Sequence, residues 1–201
     1  MKQKIKLVNP FDFSGIGVTQ SMLSYHACPM KFHLNSNGVT DGRDTIYLYF
    51  GSMVHYVLEH CYKKGIYKKA FINKLINKYV KNVKTNLDTR DIETSVLYST
   101  VLLPAYFRYH NDKKKFHSLE TVFEVEFFGY LLKGKIDGII DNGDGTYTLL
   151  EHKTKSKLDN QLFDNLELNF QNLFYAVCAE KLFKIKITGV LYNVIRTPGI
   201  R

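Results

Sequence analysis

The chain has 201 residues and a mass of 23.3 kDa, the size of one hydrophobic core. With 45% hydrophobic and 23% charged residues it is neither disordered nor fibrous. A net charge of +9 favours a polyanionic partner, nucleic acid first and an acidic membrane surface second.

The charge excess lies entirely within residues 1–120, and residues 121–201 are balanced. The opening MKQKIKLVNPFDF is basic but has no apolar run, and no stretch approaches the roughly 18 apolar residues of a membrane span. A cytoplasmic protein is expected, with no membrane partner. Few Arg against many Lys (5 against 23), with abundant Asn and Ile, suit an AT-rich genome such as a phage of low-GC bacteria. Thr19–Leu34 reads as a short helix disturbed at Pro29, and Ser52–Lys64 as a helix preceded by Gly51 and ended by Gly65. Between Tyr67 and Val83 apolar residues recur at helical spacing, with Lys68, Lys69, Lys74 and Lys78 among the lysines between them. The stretch His60–Leu87 contains no Asp or Glu, and its lysines suit a solvated helix face or a DNA contact. A further helix, Asp91–His110, is expected to kink or break at Pro104.

After Lys115 the pattern changes. Glu120–Phe128, Leu131–Asp141 and Thr146–Lys153 read as three consecutive antiparallel strands. A helix over about Gln161–Phe183 and a last strand, Lys186–Arg196, complete the chain. The fold class expected is α/β, a mixed sheet flanked by helices. It forms one domain over residues 1–201, mainly helical and basic to 115 and a sheet core from 116. The three cysteines, Cys28, Cys61 and Cys178, are too scattered for a disulfide framework or a zinc site.

The turn Asp141-Asn142-Gly143-Asp144-Gly145-Thr146 allows two registers. If Asn142 pairs with Gly145, Asp137 faces Leu150. If it pairs with Thr146, Asp137 faces Glu151. Directly paired Cβ atoms lie about 4.5–5.5 Å apart, so the second register sets two carboxylates side by side. Lys153 then shares the face of Glu151, while His152 points away and brings only its backbone carbonyl near. Adjacent carboxylates repel, and a hard divalent cation, Mg²⁺ or Mn²⁺, removes the repulsion. A neighbouring lysine orients water and stabilises charge on a phosphate, which is the equipment of metal-assisted phosphodiester hydrolysis. The same residues also suit a solvated strand with an Asp137–Lys153 ion pair.

Gly134-Lys135-Ile136-Asp137-Gly138 followed by Glu151-His152-Lys153-Thr154 resembles the active-site hairpin of PD-(D/E)XK nucleases, in particular the RecB-like exonuclease branch. Gly51-Ser52-Met53-Val54-His55 is similar to that branch's Gly-x-x-x-His element, and Gln171-Asn172-Leu173-Phe174-Tyr175 to its Gln-x-x-x-Tyr. Ser21–Phe32, with Cys28-Pro29, resembles its N-terminal signature.

The resemblance implies a restriction-endonuclease-like fold and a metal held by Asp137, Glu151, His55 and the His152 carbonyl. Asp137, Glu151 and Lys153 would be the catalytic set. Gln171 and Tyr175 would lie at the rim, orienting the lysine or the DNA backbone, and Glu126, or else Glu124, would add an outer carboxylate. Some relatives hold an Fe–S cluster with one N-terminal and three C-terminal cysteines. No such triplet follows Tyr175, so no cluster is expected and Cys28 is expected to be a small buried hydrophobe. The implied function is a metal-dependent DNA exonuclease of recombination, repair or phage replication, with a recombination or replication protein as a possible partner. A non-catalytic DNA-binding module and a sequence-specific endonuclease are the competing readings.

Overall fold

A computed structural model describes residues 17–23, 28–36, 44–110, 114–167 and 169–197. The first residues, read for a targeting segment, lie outside these, as do residues 24–27 of the first predicted helix. That helix is replaced by a two-residue strand β1 (Val18–Thr19) and two short helices, α1 (Gln20–Leu23) and α2 (Pro29–Ser36). Pro29 opens α2 instead of disturbing a helix, since the first helical position needs no N–H. Cys28, expected in the core, is exposed just before Pro29, and Phe32 takes the buried place.

Helix α3 (Ile46–Lys64) starts earlier than predicted, because Thr45 caps it by accepting the Leu48 N–H at 3.2 Å. Gly51 is therefore inside the helix, not ahead of it. Gly65 ends α3 in the left-handed conformation (φ 63°). Phe50, Met53, Val54, Val57, Leu58 and Cys61 recur at helical spacing and are fully or almost fully buried. Each such side chain contributes about 1.5–3 kcal/mol by leaving water. They pack against α4 (Lys69–Asn82) and α5 (Thr89–Tyr109). Pro104 does not end α5, which runs through it to Tyr109.

Strands β2 (Phe116–Phe127), β3 (Tyr130–Asp141) and β4 (Thr146–Lys155) form the antiparallel meander, longer at its outer ends than the sequence suggested. The predicted single helix is two, α6 (Asn160–Glu167) and α7 (Phe170–Phe183). Asn169 restarts it by accepting the Gln171 N–H at 2.9 Å. Strand β5 (Lys186–Arg196) has the predicted bounds and runs parallel to β4. Helices thus flank a five-stranded mixed sheet, the restriction-endonuclease-like arrangement.

A second core, with Phe123, Val125, Ile136, Leu149, Phe174 and Cys178, joins the sheet to α7. Strand alternation puts Leu149 and Glu151 on the α7 side, and Leu150 and His152 on the side of α3 and α5.

The sheet is split where the chemistry is expected. Strand β2 lines one edge of β3 from end to end. The other edge pairs β1 at Leu132–Lys133 and β4 from Gly138 onward. Between them, residues 134–137 have no ladder partner on that edge among the described residues.

Candidate active site

The β3–β4 register places Asp137 across from Glu151: Gly138 pairs with Leu150, Ile139 with Leu149, and Asn142 N–H donates to Thr146 at 3.1 Å. Ladder pairing stops one residue short of Asp137. Its Oδ2 instead accepts the His152 backbone N–H at 2.8 Å. Asp137 and Glu151 are buried, 9% and 6% exposed.

Helix α3 brings His55 to this point, its Nδ1 lying 3.5 Å from Asp137 Oδ1. Gly51, one turn earlier on the same face, lets α3 approach β4. A Cβ there would stand 3.1 Å from Thr154 Oγ1, tighter than most such contacts, so that side chain would have to shift slightly. The Gly-x-x-x-His spacing thus also sets a close approach of α3 to β4.

The third donor was not foreseen. Glu120 of β2 is across from Asp137, since Leu119 pairs with Gly138 and Thr121 with Ile136. Its backbone is left-handed (φ 51°), an unfavourable conformation for this residue type, and it is paired with Lys135. One ligand atom each from His55, Glu120 and Asp137 lie within 4.8 Å of one another. A divalent ion with bonds of about 2.1 Å spans opposite ligands about 4.2 Å apart, so slight side-chain rotation closes this set. One imidazole and two carboxylates suit Mn²⁺, and Mg²⁺ with added water. The residues fit a divalent cation.

Glu126, expected as an outer carboxylate, is exposed six residues further along β2, where it pairs with Leu131. Glu124 is bound to Lys133 at 2.9 Å. With the β2–β3 turn in place, counting back from it reaches Glu120. Phe127 pairs with Tyr130, and the same register carries Glu120 to Asp137.

Glu151 belongs to a neighbouring network. Its Oε1 accepts from Lys153 Nζ at 2.6 Å and from Gln171 Nε2 at 3.0 Å. Lys153 also donates to Gln171 Oε1 at 3.1 Å. The cross-strand ion pair weighed for Lys153 is thus made to Glu151 of its own strand, not to Asp137. Tyr175, one turn beyond Gln171, is half-buried, with its ring edge-on to Phe123 at 5.9 Å. Lys68, Lys69, Lys74 and Lys78 lie on or at the start of α4 and are all exposed, while Ile72, Leu75, Ile76 and Tyr79 face the core.

The electrostatics are those of crowded anions. Burial raises the pKa of Glu151, and Asp137 raises it further. Glu120 is raised by burial and by Asp137, with Lys135 opposing. Burial acts against ionisation of Asp137 too, but His55 and the His152 N–H outweigh it and hold its carboxyl below the usual range. Burial acts against protonation of His55, yet Asp137, Glu120 and Glu151 together raise it. Burial drops His152 to about 4, so its ring is neutral at pH 7. That ring stacks on Tyr62 (6.0 Å, 8°) and its Nδ1 is 2.6 Å from Asn193 Nδ2.

Asp137, Glu151 and Lys153, with the Gly51–His55 and Gln171–Tyr175 elements, form one continuous site, and the PD-(D/E)XK nuclease superfamily model matches residues 19–199. The chain belongs to the PD-(D/E)XK nuclease superfamily. This PD-(D/E)XK protein is similar in fold to the crystal structure of a candidate exonuclease from Eubacterium rectale, at 13% identity. That match covers 96% of this chain and 74% of the other, with a TM-score of 0.53. A second solved structure, SSO0001, matches at 16% identity over 89% of this chain and 80% of its own, with a TM-score of 0.30, too low to bear on the fold. No curated protein matches the sequence. No described helix is long and apolar enough to cross a membrane.

Proposed function

We propose that this PD-(D/E)XK protein is a divalent-cation-dependent deoxyribonuclease of the RecB-like type. It acts as an exonuclease on DNA ends or single strands in recombination, repair or phage replication. The observation that carries this reading is the meeting at Asp137 of two unlike clusters, the His55–Glu120 donors and the lysine held by Glu151 and Gln171.

His55, Glu120 and Asp137 would hold the cation, with Glu151 and the His152 carbonyl as further ligands. The bound ion would neutralise the carboxylates and supply Lewis-acid polarisation of a phosphate. Hydrolysis forms a bond from water oxygen to phosphorus and breaks the bond to a sugar oxygen, which leaves with a proton. Two of the three Lys153 N–H donors go to Glu151 and Gln171. The third is aimed by those bonds and serves the attacking water or the phosphate oxygen that gains charge. Glu151 is the adjacent acceptor for a water proton. The exposed lysines of α4 would track the phosphate backbone.

The test is a time course on end-labelled linear and closed circular DNA in Mg²⁺, Mn²⁺ or chelator. Linear DNA should shorten only with the metal, circular DNA should persist, and Lys153→Ala should stop the reaction. Unchanged digestion by Lys153→Ala would overturn the assignment, and discrete cuts in circular DNA would make the protein an endonuclease.

A further inference from the structure

The donor set opens into a cleft of about 530 Å³, whose α3 wall carries aromatic and aliphatic side chains among polar ones. Leu48, Ser52, His55, Tyr56 and Glu59 recur along α3 at helical spacing and line it, with Tyr47 at the rim. Tyr47 and Leu48 are 55% and 65% exposed in the first turn of the helix, which the Thr45 cap fixes in place. Tyr56 is backed by His60 (centroids 4.1 Å apart) and by Tyr79 (5.5 Å), and Tyr79 in turn by Tyr49 (5.4 Å). An exposed apolar rim thus continues into a buttressed aromatic wall, and the wall ends at a metal-donor histidine. Leu48 is two helical turns from His55, about 10 Å along the axis. A stacked strand covers that distance in about three nucleotides, and an extended one in fewer.

We propose that Tyr47, Leu48 and Tyr56 form a nucleobase subsite, which takes unpaired bases of a single strand whose phosphate lies at Asp137. The placing of the phosphate rests on the nuclease reading above; the choice of single over double strand is new. A paired base inside a duplex has both faces covered by its neighbours and offers only its edges in the grooves. Inside a duplex a tyrosine ring therefore has nothing to stack on, and at a blunt end it reaches only the outer face of the last pair, whereas each unpaired base can offer its own face. Stacking needs no particular sequence, because every base has a π-face. A rigid aromatic surface gives up little conformational entropy on binding. The carboxylates and imidazole on the cleft floor suit a phosphate through a cation, which a purely apolar partner would not need.

The test is fluorescence anisotropy with a labelled oligothymidine and with a blunt duplex, both in Ca²⁺, the probes being checked on a gel as intact. The single strand should bind at least tenfold more tightly. Tyr47→Ala should weaken single-strand binding roughly 5- to 100-fold and leave duplex binding unchanged. Tyr47→Phe, which keeps the ring, should bind like the wild type. Equal binding of the two DNAs, or single-strand binding indifferent to Tyr47→Ala, would overturn the subsite, whatever the cleavage assay gives. Tyr47-dependent single-strand binding without cleavage in Mn²⁺ would uphold the subsite and remove the nuclease reading instead.

Discussion

The backbone N–H of His152 donates to the Asp137 carboxylate at 2.8 Å, where a continuous β3–β4 ladder would have joined backbone to backbone. This one substitution of a side-chain acceptor for a backbone one marks where the sheet splits. It also ties the acid of β3 to a residue whose ring is locked on the other side of the sheet. Asn193 Nδ2 bridges His152 Nδ1 to the Tyr106 hydroxyl at 2.9 Å, and Tyr106 meets the Tyr62 hydroxyl at 2.8 Å. Asp137 is therefore positioned from the helical core as well as from its own strand.

That burial has a pH signature. His152 titrates near 4 in the folded chain against an ordinary 6.5. The unfolded chain binds the proton more readily, so this residue's contribution is present above pH 6.5 and lost as pH falls towards 4. His55 has the opposite sign: its raised pKa adds stability below 6.5, which is lost as pH rises through its folded value. Comparison with His152→Gln isolates the first effect. Between pH 6.5 and 4 the metal-free wild type should lose about 3 kcal/mol relative to the variant. Denaturant unfolding at stepped pH measures it, and parallel curves would show that His152 is not buried neutral.

Glu120 carries a cost in the metal-free protein, because burial and Asp137 hold its pKa up. Glu120→Gln removes that cost together with one donor. The variant should unfold no earlier than the wild type without metal, and should bind Mn²⁺ at least tenfold more weakly by calorimetry. Unchanged Mn²⁺ affinity would take Glu120 out of the donor set.

How far the sequence reveals this site depends on turn chemistry. The Asn142–Thr146 turn has Gly143 and Gly145 at φ 85°, and Asp144 accepts the Thr146 N–H at 2.9 Å. Those residue types announce the turn, so the Asp137–Glu151 register is legible as one of two alternatives. The β2–β3 turn is tighter, with two loop residues, and is made by Phe128 at φ 48° and Gly129 at φ 81°. A phenylalanine in a left-handed position carries no turn signal. The sequence therefore does not show where the count to Glu120 starts, and Glu126 is legible only as an outer carboxylate. The α6–α7 break was hidden for a similar reason, since continuous apolar spacing masked the Asn169 cap. Two-residue β1 has no pattern long enough to read.

The α4 lysines make a prediction about salt. Lys74 and Lys78 are exposed on one face, one turn apart. If each neutralises one phosphate, each contributes about 0.7 to the slope of log K against log salt on single strands. Lys74→Ala with Lys78→Ala should reduce that slope by about 1.4 and leave Mn²⁺ affinity unchanged. Filter binding across a salt series reads it, and an unaltered slope would place the DNA elsewhere.

Lys153 and Gln171 act as one unit, because the amide of Gln171 touches both ends of the Lys153–Glu151 pair. Lys153→Ala removes the ammonium and should lower kcat about 10²- to 10⁴-fold. Gln171→Ala leaves the ammonium in place but frees its orientation, and should lower kcat about tenfold with the KM for DNA nearly unchanged. With the lysine gone there is nothing left for the amide to orient. The double variant should therefore be no slower than Lys153→Ala, where independent action would multiply the two losses. Single-turnover rates of the four proteins close the cycle. A double variant tenfold slower than Lys153→Ala would mean that Gln171 touches the DNA itself.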